Sequence, residues 1–325
     1  MITIALRAII GNEPLLWPGG APGTYACRAP ELAPLLAREP WIAAAVVSDG
    51  FLNITVTRAA LAGVADDVTQ AGHACTMSDI LRGQVVPGPA AGPNADAEWV
   101  RAPDWARART ALAAELTSRL AVTAGATAGS RETGAGLGGG TTARSEKPGG
   151  EAGSAESGGA AGTVAAGVAY AGEDAVRFAL ARMVPGGPAP DPAVVARHVL
   201  DNPAYAVRYA HAVAAAVLRW AGSPTGEIRP GLLAEPGEQV HAELAYADLA
   251  LLDALSWLPE RVAVAARRGR PDEFARYLES LASRTIDIMR TTGSSTGEQV
   301  RLAAAARTGL AAGLGLLGIS APERL

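Results

Sequence analysis

The glycine-rich segment at residues 123–167 constrains the fold of this chain more than any other feature. It contains 14 glycines in 45 residues and no aromatic side chain. Such a segment buries too little apolar surface to offset the ordering of its backbone, which costs about 1–2 kcal/mol per residue. We therefore predict a flexible linker here, with structured parts of the chain on either side.

The part of the chain before this linker mixes helical and strand patterns. Within residues 1–85, the run AAVVSDGFLNITVT alternates apolar and polar residues around a Ser-Asp-Gly turn. That pattern predicts a pair of strands inside a small α+β domain. Residues 86–122 begin with a loop rich in proline and glycine and continue into one predicted helix.

The part after the linker, residues 168–325, predicts a bundle of antiparallel helices. Phe274, Leu278 and Leu281 recur at the spacing of one helical face, and Pro271 stands at the first turn of that helix. Several such helices with short connections form a bundle. The predicted fold is therefore mainly α, with a C-terminal antiparallel helix bundle and a small N-terminal α+β domain joined by the glycine-rich linker.

Charge and composition argue against several classes of function. The chain has a net charge of −4, and residues 168–325 hold 16 arginines against 17 acidic residues, which is not the basic footprint of most nucleic-acid binders. Cys27 and Cys75 lie far apart and no Cys/His cluster has zinc spacing, so we expect no metal and no cofactor. The apolar runs are too short to span a bilayer, so we expect a cytoplasmic protein with no membrane partner.

Four motifs occur in a fixed order in the second half of the chain. They are EDAVRFAL at 173–180, DNPAYAVRYAHA at 201–212, LPERVAVAARRGRPDEFARYLESLAS at 258–283 and LGLLGISAPERL at 314–325. Together they resemble the C-terminal part of arginyl-tRNA synthetases, whose helical domain of the DALR type binds the anticodon. A weaker resemblance, at residues 31–57, is to the additional N-terminal domain of the same enzymes.

The resemblance implies that the DNPAYAVRYAHA segment contacts RNA. Tyr205 and Tyr209 would lie one turn apart on one helix face and stack on anticodon bases, although packing between helices is an equal alternative. His211 would reach a phosphate or a base, but a half-buried histidine bonded to a backbone carbonyl is the favoured interpretation. Asn202 belongs to the same candidate site, and a helix cap ahead of Pro203 is its favoured role.

Arginines near these motifs are candidates for contacts with phosphate groups. They are Arg208, Arg267, Arg268 and Arg270. Such contacts would supply the part of RNA affinity that does not depend on sequence. The alternative is a solvated surface on which these arginines pair partly with acidic residues.

The weaker N-terminal match and the chain end add three candidates. Phe51 and Asn53 match a Gly-Phe-Ile/Leu-Asn strand of this additional domain, which in the family contacts the outer corner of the tRNA. The Asn of that strand helps hold the D-loop in the family, although Asn53 also fits an ordinary strand surface. Leu325 stands where the family commonly has a methionine near the anticodon. The DNPAYAVRYAHA segment also departs from the family, because Ala206 stands in place of a tyrosine and Val213, directly after the segment, stands in place of an arginine. These losses would change which tRNA is bound or abolish binding.

The chain lacks the sequence signatures with which these synthetases hold ATP. The His-x-Gly-His signature is absent, and the single lysine, Lys147, lies in the predicted linker. We therefore predict a non-catalytic relative that binds tRNA, with the bundle at the anticodon arm and the N-terminal domain at the D-loop corner. The alternative is a protein-interaction or regulatory module that partners a synthetase or another protein and no longer binds tRNA.

Overall fold

Helices make up most of the structure, and a small sheet lies near the N-terminus. The computed structural model describes residues 1–13, 15–87, 98–129, 163–222, 246–291 and 297–325. The α-helices are α1 (Ile2–Ile10), α2 (Ala33–Leu36), α3 (Arg58–Ala71), α4 (Trp105–Thr123), α5 (Val164–Ala171), α6 (Glu173–Arg182), α7 (Pro192–Val195), α8 (Pro203–Trp220), α9 (Tyr246–Ser256), α10 (Leu258–Arg268), α11 (Pro271–Thr291) and α12 (Gly297–Leu316). The strands are β1 (Leu16–Pro18), β2 (Thr24–Cys27), β3 (Ile42–Ser48), β4 (Phe51–Val56), β5 (Val85–Pro87) and β6 (Thr127–Gly129). The predicted mainly α fold with a small N-terminal α+β part is confirmed.

The N-terminal sheet forms around the predicted strand pair. Its four strands lie in the order β1-β2-β4-β3, and neighbouring strands are antiparallel. Asp49 and Gly50 join β3 to β4 with φ angles of 52° and 77°, which suit a two-residue hairpin. Along β4, Leu52, Ile54 and Val56 point into the core, and the residues between them face outward as the alternation predicts.

Polar side chains at the helix starts explain where α4 and α8 begin. Asp104 accepts a hydrogen bond from the backbone N–H of Arg107 at 2.8 Å, and Asn202 accepts one from the N–H of Ala204 at 3.2 Å. Pro203 then occupies the first turn of α8, where its missing N–H leaves no bond unmade. The structure thus gives Asn202 the capping role that its position ahead of Pro203 favours.

The bundle packs closely because its buried faces are apolar and its last helix is rich in small residues. Phe274, Leu278 and Leu281 of α11 are fully buried, as their spacing predicts. A Cβ atom at Gly309 of α12 would lie 2.6 Å from Cδ2 of Leu255 in α9. A larger residue at Gly309 would therefore require the buried Leu255 side chain to shift.

The N-terminal helix packs directly against the bundle through buried polar groups. Arg7 of α1 donates to both carboxylate oxygens of Glu260 in α10, at 3.0 and 2.6 Å. The side chains of Arg7 and Glu260 are only 5% and 2% exposed. Beside this pair, the Thr3 hydroxyl donates to the backbone carbonyl of Ser256 at 2.6 Å. These contacts fix α1 at the corner between α9 and α10.

Tyr25 of β2 anchors the sheet at the same corner. Its ring stacks on Trp257 with the centroids 5.3 Å apart, and its hydroxyl donates to Asp253 at 3.2 Å. Asp253 also accepts the backbone N–H of Gly23 at 3.0 Å. Burial raises the pKa of both Tyr25 and Asp253, because each group is withdrawn from water. The sheet is therefore bound to α9 by a desolvated polar contact.

A second ion pair joins α3 to the last helix. Arg301 of α12 donates to the carboxylate of Asp66 at 2.7 and 2.5 Å and to the backbone carbonyl of Ala62 at 2.9 Å. The N-terminal and helical parts consequently share one hydrophobic core. Buried polar contacts between distant segments therefore join the N-terminal part to the helical part.

Residues at both ends of the predicted linker have regular structure. β6 pairs in parallel with β5, and α5 begins at Val164, where the Thr163 side chain caps it. A strand pair and a capped helix therefore order positions that glycine content alone assigned to the linker. Residues 130–162, on which most of the linker prediction rests, lie outside the described residues, as do residues 88–97 of the predicted loop.

The buried pair between α1 and α10 yields a stability prediction. We expect Arg7→Ala to lower the free energy of unfolding by about 3–5 kcal/mol, because Glu260 would stay buried without its partner. Arg82→Ala is the matched control, since Arg82 pairs with Asp79 at the surface and such pairs contribute about 0–1 kcal/mol. Denaturant unfolding followed by circular dichroism measures both variants, and equal losses would contradict the importance of the buried pair.

Candidate nucleic-acid interface

Three aromatic rings stack at the start of α8. Tyr205 and Tyr209 lie one helical turn apart, with their ring centroids separated by 5.6 Å and their planes 23° from parallel. His198, in the loop before α8, stacks on Tyr205 at 5.4 Å and 11°. The two tyrosines are half-buried and His198 is exposed. The bundle therefore supports the stack, and its His198 end faces water.

Asn202 holds the loop that carries His198. Its side-chain amide donates to the backbone carbonyls of Val195 and Arg197, both at 2.7 Å, while its oxygen caps α8. The loop is thereby folded back onto the first turn of α8. Asn202 is 5% exposed, so its side chain positions the ring stack and does not itself face a ligand.

Arg208 lies on α8 between the two tyrosines and contacts the C-terminal tail, residues 318–325. Its Nη2 is 3.6 Å from the carboxylate of Asp174 and 3.5 Å from the hydroxyl of Ser320. Ser320 in turn hydrogen-bonds the same carboxylate through its side chain and its backbone N–H. The charge of Arg208 is therefore partly neutralised, although its Nε has no hydrogen-bond partner among the described residues.

His211 holds the C-terminal tail on α8. Its Nδ1 lies 2.9 Å from the backbone carbonyl of Pro322, which accepts the hydrogen bond. The side chain is almost completely buried, and that burial lowers the pKa of His211. The hydrogen bond to a backbone carbonyl is the one that the sequence favoured for His211, and the side chain is more deeply buried than expected.

Two further arginines secure the same tail. Arg219 of α8 donates to the backbone carbonyl of Glu323 at 2.9 Å, and Arg307 of α12 pairs with the Glu323 carboxylate. Leu325, the last residue, is 56% exposed. The tail thus occupies cationic groups along α8 that would otherwise face solvent, and it presents Leu325 at the surface.

The three arginines around the α10–α11 loop differ from one another. Arg270 clamps the carboxylate of Asp272 at 2.7 and 2.8 Å, and Asp272 is almost fully buried. Arg268 pairs with Glu273 at 3.0 Å. Arg267 is exposed, and within the described ranges it forms no ion pair. Paired arginines were the alternative interpretation of this cluster, and the structure supports that alternative for Arg268 and Arg270.

A second aromatic cluster lies on the outer face of the N-terminal sheet. Phe51 meets Trp17 edge to face with the ring centroids 5.8 Å apart, and the Arg28 guanidinium lies 5.0 Å above the Phe51 ring. Asn53 is exposed two residues further along the same face of β4. Phe51 and Asn53 therefore share one surface, as the strand alternation predicts.

Sequence reasoning missed several residues that build these two surfaces. His198, Trp17 and Arg28 reach their partners through turns and neighbouring strands, and no local spacing indicates such contacts. Asp174 belongs with them, because it bonds both Arg208 and the C-terminal tail, which lies far away in the sequence.

The described residues contain no other obvious reactive site. Within them, no group of three or more His, Cys, Asp or Glu side chains is arranged to hold a metal ion. No helix of the same ranges is long and apolar enough to cross a membrane. Cys27 and Cys75 are free and buried, and burial raises the pKa of both thiols, to about 12 for Cys75. Neither thiol is therefore an activated nucleophile.

The helices that carry Arg208, Tyr209 and the C-terminal tail belong to a recognisable class of domain. Residues 207–325 match the DALR anticodon binding domain family. The matched region starts within α8, two residues after Tyr205, and runs to the end of the chain. Residues 207–325 are therefore similar to DALR-type domains, in agreement with the sequence motifs.

Two relatives with similar sequences are both arginine–tRNA ligases. The arginine–tRNA ligase of Frankia alni is 38% identical over 170 residues, which are 47% of this chain and 29% of that enzyme. The arginine–tRNA ligase of Acidithiobacillus ferrooxidans is 34% identical over 137 residues, which are 40% of this chain and 23% of that enzyme. The protein is thus related to arginyl-tRNA synthetases over about half of its length, and it spans less than a third of the length of these relatives.

Solved structures give a looser likeness. A putative arginyl-tRNA synthetase from Campylobacter jejuni aligns with a TM-score of 0.44 and 12% identity, covering 100% of this chain and 62% of that one. The Thermus thermophilus arginyl-tRNA synthetase aligns with a TM-score of 0.39 and 20% identity, covering 99% and 57%.

The buried His211 predicts a specific dependence of stability on pH. Its folded pKa is lowered from 6.5, so the unfolded chain takes up this proton more readily. The free energy of unfolding should therefore fall as the pH drops below about 6.5, and this contribution should be fully present above that pH. His211→Gln should remove this component, whereas the exposed His73→Gln should keep it. Denaturant titrations at several pH values test this, and identical pH profiles for wild type and His211→Gln would contradict it.

Proposed function

We propose that this protein binds tRNA through α8 and does not activate an amino acid. The observation that carries the proposal is the stack of His198, Tyr205 and Tyr209 at the edge of a DALR-type domain. Unpaired RNA bases stack readily on aromatic side chains, and an anticodon loop presents such bases. The relatives named above are arginine–tRNA ligases, which makes tRNA the natural class of ligand.

The order already present in the ring stack favours base binding. The rings support one another, and Asn202 fixes the loop of His198, so little side-chain freedom remains to be lost on binding. A base that docks on the outer face of His198 would extend an existing stack. Each base stacked on an aromatic side chain contributes about 1–3 kcal/mol in proteins that bind single strands.

Phosphate contacts would contribute less to this interface than in most RNA-binding proteins. Arg208 and Arg219 already contact Asp174 or the C-terminal tail, and Arg268 and Arg270 are paired with acidic residues. We therefore propose that stacking supplies most of the affinity and that binding weakens only gently as salt is raised.

The outer face of the sheet is the second proposed RNA contact. Phe51 and Asn53 lie together there beside Trp17 and Arg28. The ion pair of Arg7 with Glu260 fixes this part of the chain to the bundle. The two surfaces would therefore meet a tRNA at a set spacing, as one body, and not through a tether that adjusts its length.

Variants of Tyr205 test the stacking role. Tyr205→Leu removes the ring on which His198 stacks, so it should weaken tRNA binding by up to the contribution of one stacked base, about 5- to 150-fold, while Tyr205→Phe should bind nearly as wild type. Tyr246→Leu is the control, because Tyr246 is an exposed tyrosine of α9 outside the stack. Gel-shift or fluorescence titration against total tRNA at low salt measures the affinities. Absence of binding by the wild type at low salt would end the proposal.

The non-catalytic part of the proposal has its own test. Arginine-dependent exchange of pyrophosphate into ATP reports adenylation directly, and we expect none with the purified protein. The His-x-Gly-His signature that would hold ATP is missing from the sequence. Exchange above a no-arginine control would contradict this part and leave the tRNA-binding part standing.

A second candidate function is a protein-interaction module. Val194, Val199 and Leu200 are 41–48% exposed near the start of α8, and Tyr170 of the adjacent α5 is 68% exposed. This apolar surface, together with the engaged arginines of α8, fits a protein partner better than a polyanion. Affinity capture with and without ribonuclease separates the two functions: a partner retained after ribonuclease, together with no tRNA binding, would favour the interaction module.

A further inference from the structure

The two edges of the N-terminal sheet differ in how well they are protected. β1 has three residues and ends in Pro18, and both features discourage a further strand. β3, at the other edge, has seven residues with the sequence IAAAVVS, without proline or charge. Val46 and Val47 on β3 are 57% and 48% exposed. Natural proteins usually block such an edge, so an open one is a template for strand pairing.

The hairpin register shows which backbone groups of β3 lack a partner. In a two-residue hairpin the residues that flank the turn, Ser48 and Phe51, exchange backbone hydrogen bonds. Because this pattern alternates along the strand, Val46 also directs its N–H and C=O at β4. Those of Ala45 and Val47 point away from the sheet, and no backbone bond of the described residues outside regular strands and helices uses them.

A bulge limits the part of this edge that can pair. The register with β4 shifts between Ile42 and Ala44, which leaves residues 44–48 as the regular stretch. Val46 is the centre of that stretch. A pairing partner that uses the whole stretch must therefore be centred on Val46.

We propose that β3 pairs antiparallel with β3 of a second copy of this chain, about a two-fold axis at Val46. Ala45 of each copy would then exchange hydrogen bonds with Val47 of the other, which satisfies the outward backbone groups of both. The two Val46 side chains would meet on the outer face as a close, β-branched cross-strand pair. The result is one sheet that continues through the dimer.

The chemistry of the strand favours a second copy over another extended peptide. In a two-fold antiparallel pairing, each outward N–H of β3 lies opposite an outward C=O of β3 in the second copy. The edge is therefore complementary to itself. The pairing also brings like residues face to face, which only a strand without charge tolerates well. β3 meets that condition along its whole length. This inference is independent of the proposed tRNA binding.

The test is the mass of the full chain in solution, measured by sedimentation equilibrium over a wide range of concentration. We expect a reversible dimer for the wild type and a monomer for Val46→Lys, because two lysines would face each other at the axis. Thr55→Lys is the matched control: Thr55 lies on the same outer face of the neighbouring β4, where it faces no second copy. This variant should dimerise like the wild type.

Mixing two variants shows whether a monomeric variant has simply misfolded, because a misfolded chain could not recover the dimer. Val46→Glu should also be monomeric alone, and an equimolar mixture with Val46→Lys should recover the dimer mass, since opposite charges would then meet at the axis. A wild type that stays monomeric at the highest concentration would overturn the proposal, even if a foreign peptide bound β3. A dimer that survives in both variants, or a mixture that stays monomeric, would overturn it equally.

Discussion

The buried ion pair between Arg7 and Glu260 is the contact on which the placement of α1 against the helical part depends. Neither side chain has meaningful access to water, so each charge depends on the other for its stability. The pair fixes α1 on the corner between α9 and α10. Tyr25, Asp253 and Trp257 extend the same contact. These contacts join the N-terminal part of the chain to the helical part.

This rigidity affects how the candidate surfaces can act. The ring stack on α8 and the aromatic cluster on the sheet both lie on parts that share one core. A ligand that touches both surfaces must match their spacing, and it gains from the fact that this spacing is already set. The same reasoning applies to the stack itself, where Asn202 orders His198 before any ligand arrives. In the proposed interface, both the spacing of the two surfaces and the position of His198 within the ring stack are therefore set before a ligand binds.

The C-terminal tail bonds arginines of α8, so fewer positive charges of this helix are available for phosphate groups and stacking becomes the main interaction that α8 can offer RNA. Ser320, Pro322 and Glu323 engage Arg208, His211 and Arg219 respectively. Because these side chains of α8 already bond the tail, the interface would bind RNA mainly by stacking bases on the aromatic rings. Otherwise it would bind a ligand other than RNA. In the second case, the exposed apolar side chains near Val199 would form the surface that contacts a protein partner.

Much of the fold could be predicted from the sequence, because local rules decide it. The spacing of Phe274, Leu278 and Leu281 fixed the buried face of α11, and Asn202-Pro203 marked the start of α8. The Asp-Gly turn and the alternation of β4 likewise defined the hairpin. These features depend on neighbours within a few residues, where turn chemistry and periodicity act.

The sequence predicted the candidate site less well, because contacts between distant segments decide it. Nothing local to His211 shows that Pro322 will accept its hydrogen bond, or that His198 will stack on Tyr205. The same limit explains why the joining of the N-terminal part to the bundle was missed. Arg7 and Glu260 lie 253 positions apart, and neither is distinguished from a surface charge by its own surroundings in the sequence.

Chemical footprinting of tRNA in the presence of the purified protein tests the central claim most directly. If α8 receives the bases of the anticodon loop, reactive bases of that loop should become protected by the wild type and stay reactive with Tyr205→Leu. Protection confined to other parts of the tRNA, or an anticodon loop protected equally by both proteins, would contradict base binding by the ring stack.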